Sequence, residues 1–306
     1  MGKASRTKVD SSRREKIAAQ RAAARRAEQR RRILIAGGSV LVVIVIIVAF
    51  IVIKASSSPS TPAKTAANGP TGAALASVVA KVTSVPASTL NTVGEGGGAV
   101  TNKPATIPGS TLTADGKPEM LYMGAEYCPY CAAERWAMIV ALSRFGTFSG
   151  LATVHSSSTD VYPNTPTWTF AHATYTSKYL TFTPVELETN IPTSTGYTTL
   201  DKPTSAQSAL MSKYDNAPYI SSSDAGSIPF VDFGNKYMIV GASYTPQVLS
   251  GLSWATIATD LSNPGSSVAK AVDGTANYIT AAICKMTGNQ PASACTATVQ
   301  SLESKL

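Results

Sequence analysis

The chain has 306 residues and a mass of 31.8 kDa, with 44% hydrophobic and 14% charged residues. That balance excludes a wholly disordered chain, which needs low hydrophobicity and high charge, and four cysteines are too few for a disulfide scaffold. The net charge of +8 is confined to one end: residues 1–32 hold twelve Lys/Arg against three Asp/Glu, so the other 274 residues total −1 and form no basic domain for a nucleic acid.

The basic tail, residues 1–32, is followed by Ile33 to Ile53, a stretch of 21 uncharged residues rich in Ile, Val and Leu. As a helix it reaches about 30 Å, the thickness of the bilayer hydrocarbon core. It is longer than a signal-peptide core of about 7–15 residues. Twelve positive charges before it and Lys54 alone just after it predict a single-pass anchor with a cytoplasmic N-terminus, lipid contact through the span, and an extracytoplasmic remainder. Residues 54–72, rich in Ser, Thr, Pro, Ala and Gly, read as a flexible tether. One α/β domain is expected over 73–306.

Within that domain Ala73 to Val85 suits a short helix ended by Pro86, and Gly94–Gly98 and Pro104–Gly109 suit loops. Met120 to Tyr127 is short and apolar, as a buried strand is. It runs into Cys128-Pro129-Tyr130-Cys131, and Ala132 to Arg144 then has helical spacing. Leu151–His155, Thr165–Phe170 and Thr174–Glu186 read as strands, the last two turned at Ala171-His172-Ala173. Residues 189–205 read as loop and Ala206–Tyr214 as helix. Ile228–Phe233 and Lys236–Val240 form a hairpin turned at Gly234-Asn235. Thr245–Leu252 and Trp254–Leu261 suggest two short helices. Ser266–Met286 has the clearest helical period, with Val268, Ala271, Val272, Thr275, Ala276, Ile279, Ile283 and Met286 on one face.

The chemistry concentrates at Cys128 and Cys131. Their spacing brings both sulfurs to the first turn of a helix, with Pro129 at the first helical position, where its missing N–H costs nothing. Free N–H groups and the positive end of the helix dipole favour a thiolate at Cys128. Cys131, one turn in, is more buried and acts second. Such a pair suits thiol–disulfide exchange, which needs no cofactor, histidine base or metal. Two other uses exist. Zinc wants four ligands, and the pair supplies two, with His155 and His172 at no zinc-finger spacing. A c-type haem would need His where Ala132 stands. A static disulfide over so short a loop contributes little stability.

The run Ala125-Glu126-Tyr127-Cys128-Pro129-Tyr130-Cys131 between strand and helix, with a later Ile228-Pro229 before a strand, resembles the thioredoxin superfamily. The Cys-Pro-Tyr-Cys sequence itself resembles that of glutaredoxins. The anchor, the stretch Gly124–Trp136 and the late cysteine pair resemble an uncharacterised group of membrane-anchored thioredoxin-like proteins. The resemblance implies a thioredoxin-like mixed sheet with flanking helices and an inserted segment near 156–224. It implies Cys128 as nucleophile, Cys131 as resolving thiol, and Pro129 and Tyr130 as tuners of the potential. Pro229 would be a cis-proline facing the pair, with Ile228 and Tyr127 as substrate-binding neighbours. The buried acid that thioredoxins carry in the preceding strand corresponds here to Tyr122, and Glu126 is expected at the rim of the motif.

Cys284 closes the long helix and Cys295 opens a last short one carrying Val299 and Leu302, so a bridge between them would staple two helices. The alternative is a relay passing electrons to the first pair, which requires the two pairs to approach. The reading as a whole is a membrane-anchored, extracytoplasmic thiol–disulfide oxidoreductase acting on cysteines of exported proteins. A single span cannot carry electrons across a bilayer, so a quinone-linked oxidase or transmembrane reductant carrier is the expected redox partner. The rival is a non-enzymatic envelope protein for metal delivery or partner binding.

Overall fold

The computed structural model describes residues 69–306. The basic tail, the apolar span 33–53 and all but the end of the tether lie outside the described residues. No single described helix is long and apolar enough to cross a membrane. The order of elements begins with α1 (Gly72–Val82) and α2 (Ala87–Val93), with Pro86 between them, then β1 (Ala105–Thr106), β2 (Thr113–Ala114), β3 (Lys117–Gly124) and α3 (Pro129–Leu142). Strands β4 (Gly146–Ser149), β5 (Ala152–His155), β6 (Pro166–Thr169), β7 (Thr174–Ser177) and β8 (Thr181–Glu186) follow, then β9 (Glu188–Pro192), β10 (Tyr197–Thr199) and α4 (Ser205–Tyr214). Last come β11 (Phe230–Phe233), β12 (Tyr237–Val240), a 3-10 turn at Pro246–Leu249, α5 (Trp254–Asp260), α6 (Ser267–Met286) and α7 (Ala297–Glu303).

The architecture is mixed α/β. Six strands form the main sheet in the order β1-β12-β11-β3-β2, with β8 also paired to β3. The β3–β8 pair is parallel, aligning Tyr122 with Pro184 and Gly124 with Glu186. The β11 and β12 partners are antiparallel, and Val231 lies opposite Tyr122. Because side chains alternate along a strand, β3 buries Met120 and Tyr122 in one core and Leu121 and Met123 in another. The larger core holds α3, α6, Trp136, Trp168 and Ile279; the smaller lies under Tyr214 of α4 and includes Ile107, Val185 and Phe230. A sheet covered on both faces explains why β3 and β11 read as apolar runs rather than as an alternation.

Helix α6 is buried on nearly every side from Val268 to Cys284, polar Asp273 and Asn277 included. The amphipathic period in the sequence marks only part of the surface that is buried. On another side the Asn277 amide donates to the carbonyls of Leu90 and Gly94 at 2.8 Å each. The chain after α2 approaches so closely that a side chain on Gly274 would meet the Cα of Gly96, itself at φ +82°.

Several expected boundaries shift for identifiable reasons. β3 starts earlier than expected and stops at Gly124, and α3 starts at Pro129 because Cys128 is its N-cap. Thr174–Glu186 is two strands, because Ser177 Oγ accepts the N–H groups of Tyr179 and Leu180 and turns the chain. β6 pairs with β5 and β7 with β4, rather than with each other. Residues 189–205 are not all loop, since β9 and β10 pair within them. Thr245–Leu252 holds only the 3-10 turn. The 156–224 segment, expected as an insertion, contributes β8 to the main sheet and Trp168, Phe170 and Phe182 to the larger core.

Cys284 and Cys295 are bridged, both at 3% exposure or less. Arg144, beyond the C-terminal end of α3, donates to the Ala294 carbonyl at 2.7 Å beside the bridge. The Cys128–Cys131 pair lies at the other end of this 14-residue helix, about 20 Å away at 1.5 Å per residue. That separation favours the staple over the relay. Cys284→Ser is expected to lower unfolding stability by about 2–3 kcal/mol in a urea titration, with the rate of disulfide exchange unchanged. Loss of exchange in a folded variant would support the relay instead.

Candidate active site

Cys128 stands between the end of β3 and the first turn of α3. Its extended backbone (φ −75°, ψ 120°) and sulfur cap the helix, the sulfur accepting the Cys131 N–H at 3.2 Å. The thiol of Cys128 in turn donates to the Ile228 carbonyl at 3.6 Å. The Ile228–Pro229 bond is cis, as are Ala217–Pro218 and Gln290–Pro291. Cys128 is 5% exposed, Cys131 is 0% exposed, and neither is bridged.

The two sulfurs are therefore inequivalent. Burial opposes ionisation of Cys128, but hydrogen bonds from the Cys131 thiol and backbone, and then the Arg135 charge, take its pKa below the ordinary thiol value. At Cys131 burial dominates and Cys128 adds to it; Arg135 opposes them, and the pKa stands well above the ordinary value. The first sulfur is thus prepared to attack or to leave, and the second is held protonated in the interior.

Aromatic side chains surround the mouth. Tyr130 is 40% exposed and meets Tyr162 edge-on at 5.9 Å between ring centroids. Tyr127, half-buried, stacks on Tyr197 at 4.2 Å, and burial together with the neighbouring Cys128 pushes its pKa to about 12. Tyr197 O–H donates to Ser157 Oγ at 2.7 Å, and Ser157 N–H to the Tyr127 carbonyl at 2.7 Å, so β10 and the 157–164 loop brace the motif. A groove of about 870 Å³ lies beside the motif, lined by Tyr130, Tyr162, Ser227, Gly241 and Tyr244 among others, and by Ile228, whose carbonyl accepts the Cys128 thiol. Its far wall is fixed to α3: Glu134, fully buried, accepts the Ser243 N–H at 2.8 Å and its O–H at 3.0 Å, and Tyr244 O–H donates to the Ala133 carbonyl at 2.6 Å.

The structure thus brings together Tyr127, Cys128, Pro129, Tyr130, Cys131 and Ile228, with Pro229 buried behind Ile228. Glu126 is 7% exposed rather than open at the rim, its N–H donating to Glu188 of β9. Sequence reasoning missed Arg135, Glu186, Tyr162 and Tyr197. Arg135 had a visible signal, an arginine four residues past Cys131 in a helix whose one other charged residue is Glu134; the other three are joined to the motif only by long-range contacts. His155 packs edge-on against Trp254 at 4.5 Å. Among the described residues no group of three or more His, Cys, Asp or Glu side chains could hold a metal ion.

A family model described as "Domain of unknown function (DUF929)" matches residues 103–285, which include Cys128, Cys131, Arg135, Glu186, Pro229 and Cys284. No curated protein and no solved structure matches the chain.

Proposed function

We propose that this chain, which belongs to the DUF929 family, is a membrane-anchored extracytoplasmic thiol–disulfide oxidoreductase with a thioredoxin-like fold, acting on cysteines of exported proteins. The observation that carries the reading is the asymmetry of the pair: Cys128 caps a helix beside a groove, and Cys131 is sealed beneath it. In the oxidised state a substrate thiolate attacks Cys128 Sγ. The bond to Cys131 breaks, and a mixed disulfide forms. A second substrate thiolate then attacks the substrate sulfur of that bond and releases Cys128. One disulfide is consumed and one formed, and two electrons pass to the protein; the reverse sequence reduces a substrate. Tyr130 and Ile228 border the groove that would receive the substrate chain, and Pro229 sets the backbone behind Ile228.

The extracytoplasmic, anchored location rests on the 33–53 span and the charge step across it. Redox exchange with a quinone-linked oxidase or a transmembrane reductant carrier would reset the pair. The test is equilibration of the full-length chain in glutathione buffers, with alkylation of free thiols and mass analysis. Cys128 and Cys131 are expected to interconvert reversibly between dithiol and disulfide. A pair locked in one state across all buffers, or a Cys128 thiol that titrates as a free thiol while the reduced chain binds copper or zinc tightly, would overturn the proposal.

A further inference from the structure

Beneath the pair lies a charge that thiol exchange by two cysteines does not by itself require. Arg135 follows Cys131 by one helical turn, so the two side chains share a face of α3. Its guanidinium is fully buried and clamped by Glu186 of β8 in a two-bond fork, Nε to Oε1 at 2.9 Å and Nη2 to Oε2 at 2.6 Å. Glu186 is itself held, accepting the Phe170 N–H at 3.1 Å. The fork leaves Nη1 buried with no hydrogen-bond partner, and the hydroxyl of Tyr122, also fully buried, has none either. The Arg135 guanidinium carbon lies 5.6 Å from the centre of the Tyr122 ring. The Tyr122 hydroxyl and Cys131 Sγ converge on Gly124, where an added side-chain carbon would meet both. A buried donor without an acceptor is costly. Two of them in the layer under one sulfur make sense if that sulfur becomes negative during turnover.

We propose that Arg135, fixed by Glu186, is a positioning residue that stabilises negative charge on the cysteine pair, with the Tyr122 hydroxyl beside it, and so makes the couple a donor of disulfides rather than a reductant. The inference rests on the exchange chemistry proposed above and adds its direction. When a substrate thiolate attacks Cys128, the electron pair of the breaking bond goes to Cys131, the sulfur on the Arg135 face. A couple whose reduced form is stabilised is the more oxidising one. The two electrons gained from substrate thiols would leave through a quinone-linked membrane oxidase. Tyr127 and Tyr130 flank Cys128, Glu126 precedes them, Glu188 of β9 acts on Tyr127 and Glu134 follows on α3, and none of these groups carries a positive charge.

The experiment measures the equilibrium of the full-length chain with glutathione, and the pH dependence of Cys128 alkylation, in three variants. Arg135→Met combined with Glu186→Leu removes both charges at similar volume, so no lone ion is left buried. It is expected to shift the equilibrium roughly tenfold toward the protein disulfide, about 30 mV, and to move Cys128 alkylation to higher pH. Arg135→Lys keeps the charge and should stay within about threefold of the parent. Glu186→Gln removes only the counter-charge and should shift the equilibrium in the opposite direction to the double variant. A merely structural ion pair would lower the melting temperature and leave the equilibrium unmoved. Equilibria within twofold of the parent for both the double variant and Glu186→Gln overturn the inference and leave the exchange activity standing; if the double variant does not fold, Glu186→Gln alone decides. A parent chain that never equilibrates with glutathione overturns the exchange proposal itself, and this inference with it.

Discussion

Cys128→Ser is expected to abolish disulfide exchange, a loss on the order of a thousandfold or more, while the domain stays folded. The substitution is well suited to separate chemistry from structure. Serine is among the best N-cap residues, so its oxygen can accept the Cys131 N–H that the sulfur now takes at 3.2 Å. What it removes is a nucleophile and leaving group that ionises more readily than an ordinary thiol. Cys131→Ala is the complementary case. The attack of reduced Cys128 on a substrate disulfide remains possible, but resolution does not, so mixed disulfides with exported proteins should accumulate and be released by dithiothreitol. Non-reducing electrophoresis followed by mass spectrometry reads both effects. Exchange by Cys128→Ser within tenfold of the parent rate would remove Cys128 from the mechanism.

The second large effect is on stability against pH. Asp273, in the middle of α6, is 0% exposed, and neither carboxyl oxygen has a hydrogen-bond partner. Burial raises its pKa from 3.8 to about 8. Glu134 is likewise raised by burial from 4.5 to about 7, with the Ser243 N–H and O–H opposing. A carboxyl that stays protonated in the folded state but ionises in the unfolded one contributes stability that is complete below the unfolded value and lost as pH rises through the folded one. The domain is therefore expected to be most stable near pH 4–5 and to weaken progressively up to about pH 8. Asp273 alone accounts for a loss on the order of 5 kcal/mol. Asp273→Asn, neutral at every pH, should remove the largest single share of this slope and Glu134→Gln a smaller one, with Asp215 and Asp232, each raised to about 6 by burial, supplying further parts. Urea unfolding at pH 5 and pH 8 measures it; a parent domain equally stable at both values, or more stable at pH 8, would contradict the argument.

Both effects depend on a division visible in particular residues. The start of α3 is written locally, since a capping residue, a proline at the first helical position and a run of good helix formers need no distant partner. The β11–β12 hairpin is equally local, because Gly234 and Asn235 take the positive φ values (63° and 57°) that its tight turn demands. The cysteine pair, the late cysteines and the apolar face of α6 could be read in the same way. Asp273 could not, for its position in the helix gave no hint that α6 is enclosed on nearly all sides.

Where the two motif sulfurs sit, which helix they begin and which two cysteines are near enough in the chain to be stapled could all be read from the residues alone, because each follows from contacts a few residues long. That β8 lies parallel to β3, that Tyr197 stacks on Tyr127, and that Glu186 reaches Arg135 across 51 residues of chain emerged from the folded arrangement alone. Parallel pairing and buried ion pairs join segments whose separation carries no periodic trace. The charge beneath the dithiol therefore became legible only once the sheet had brought those segments together.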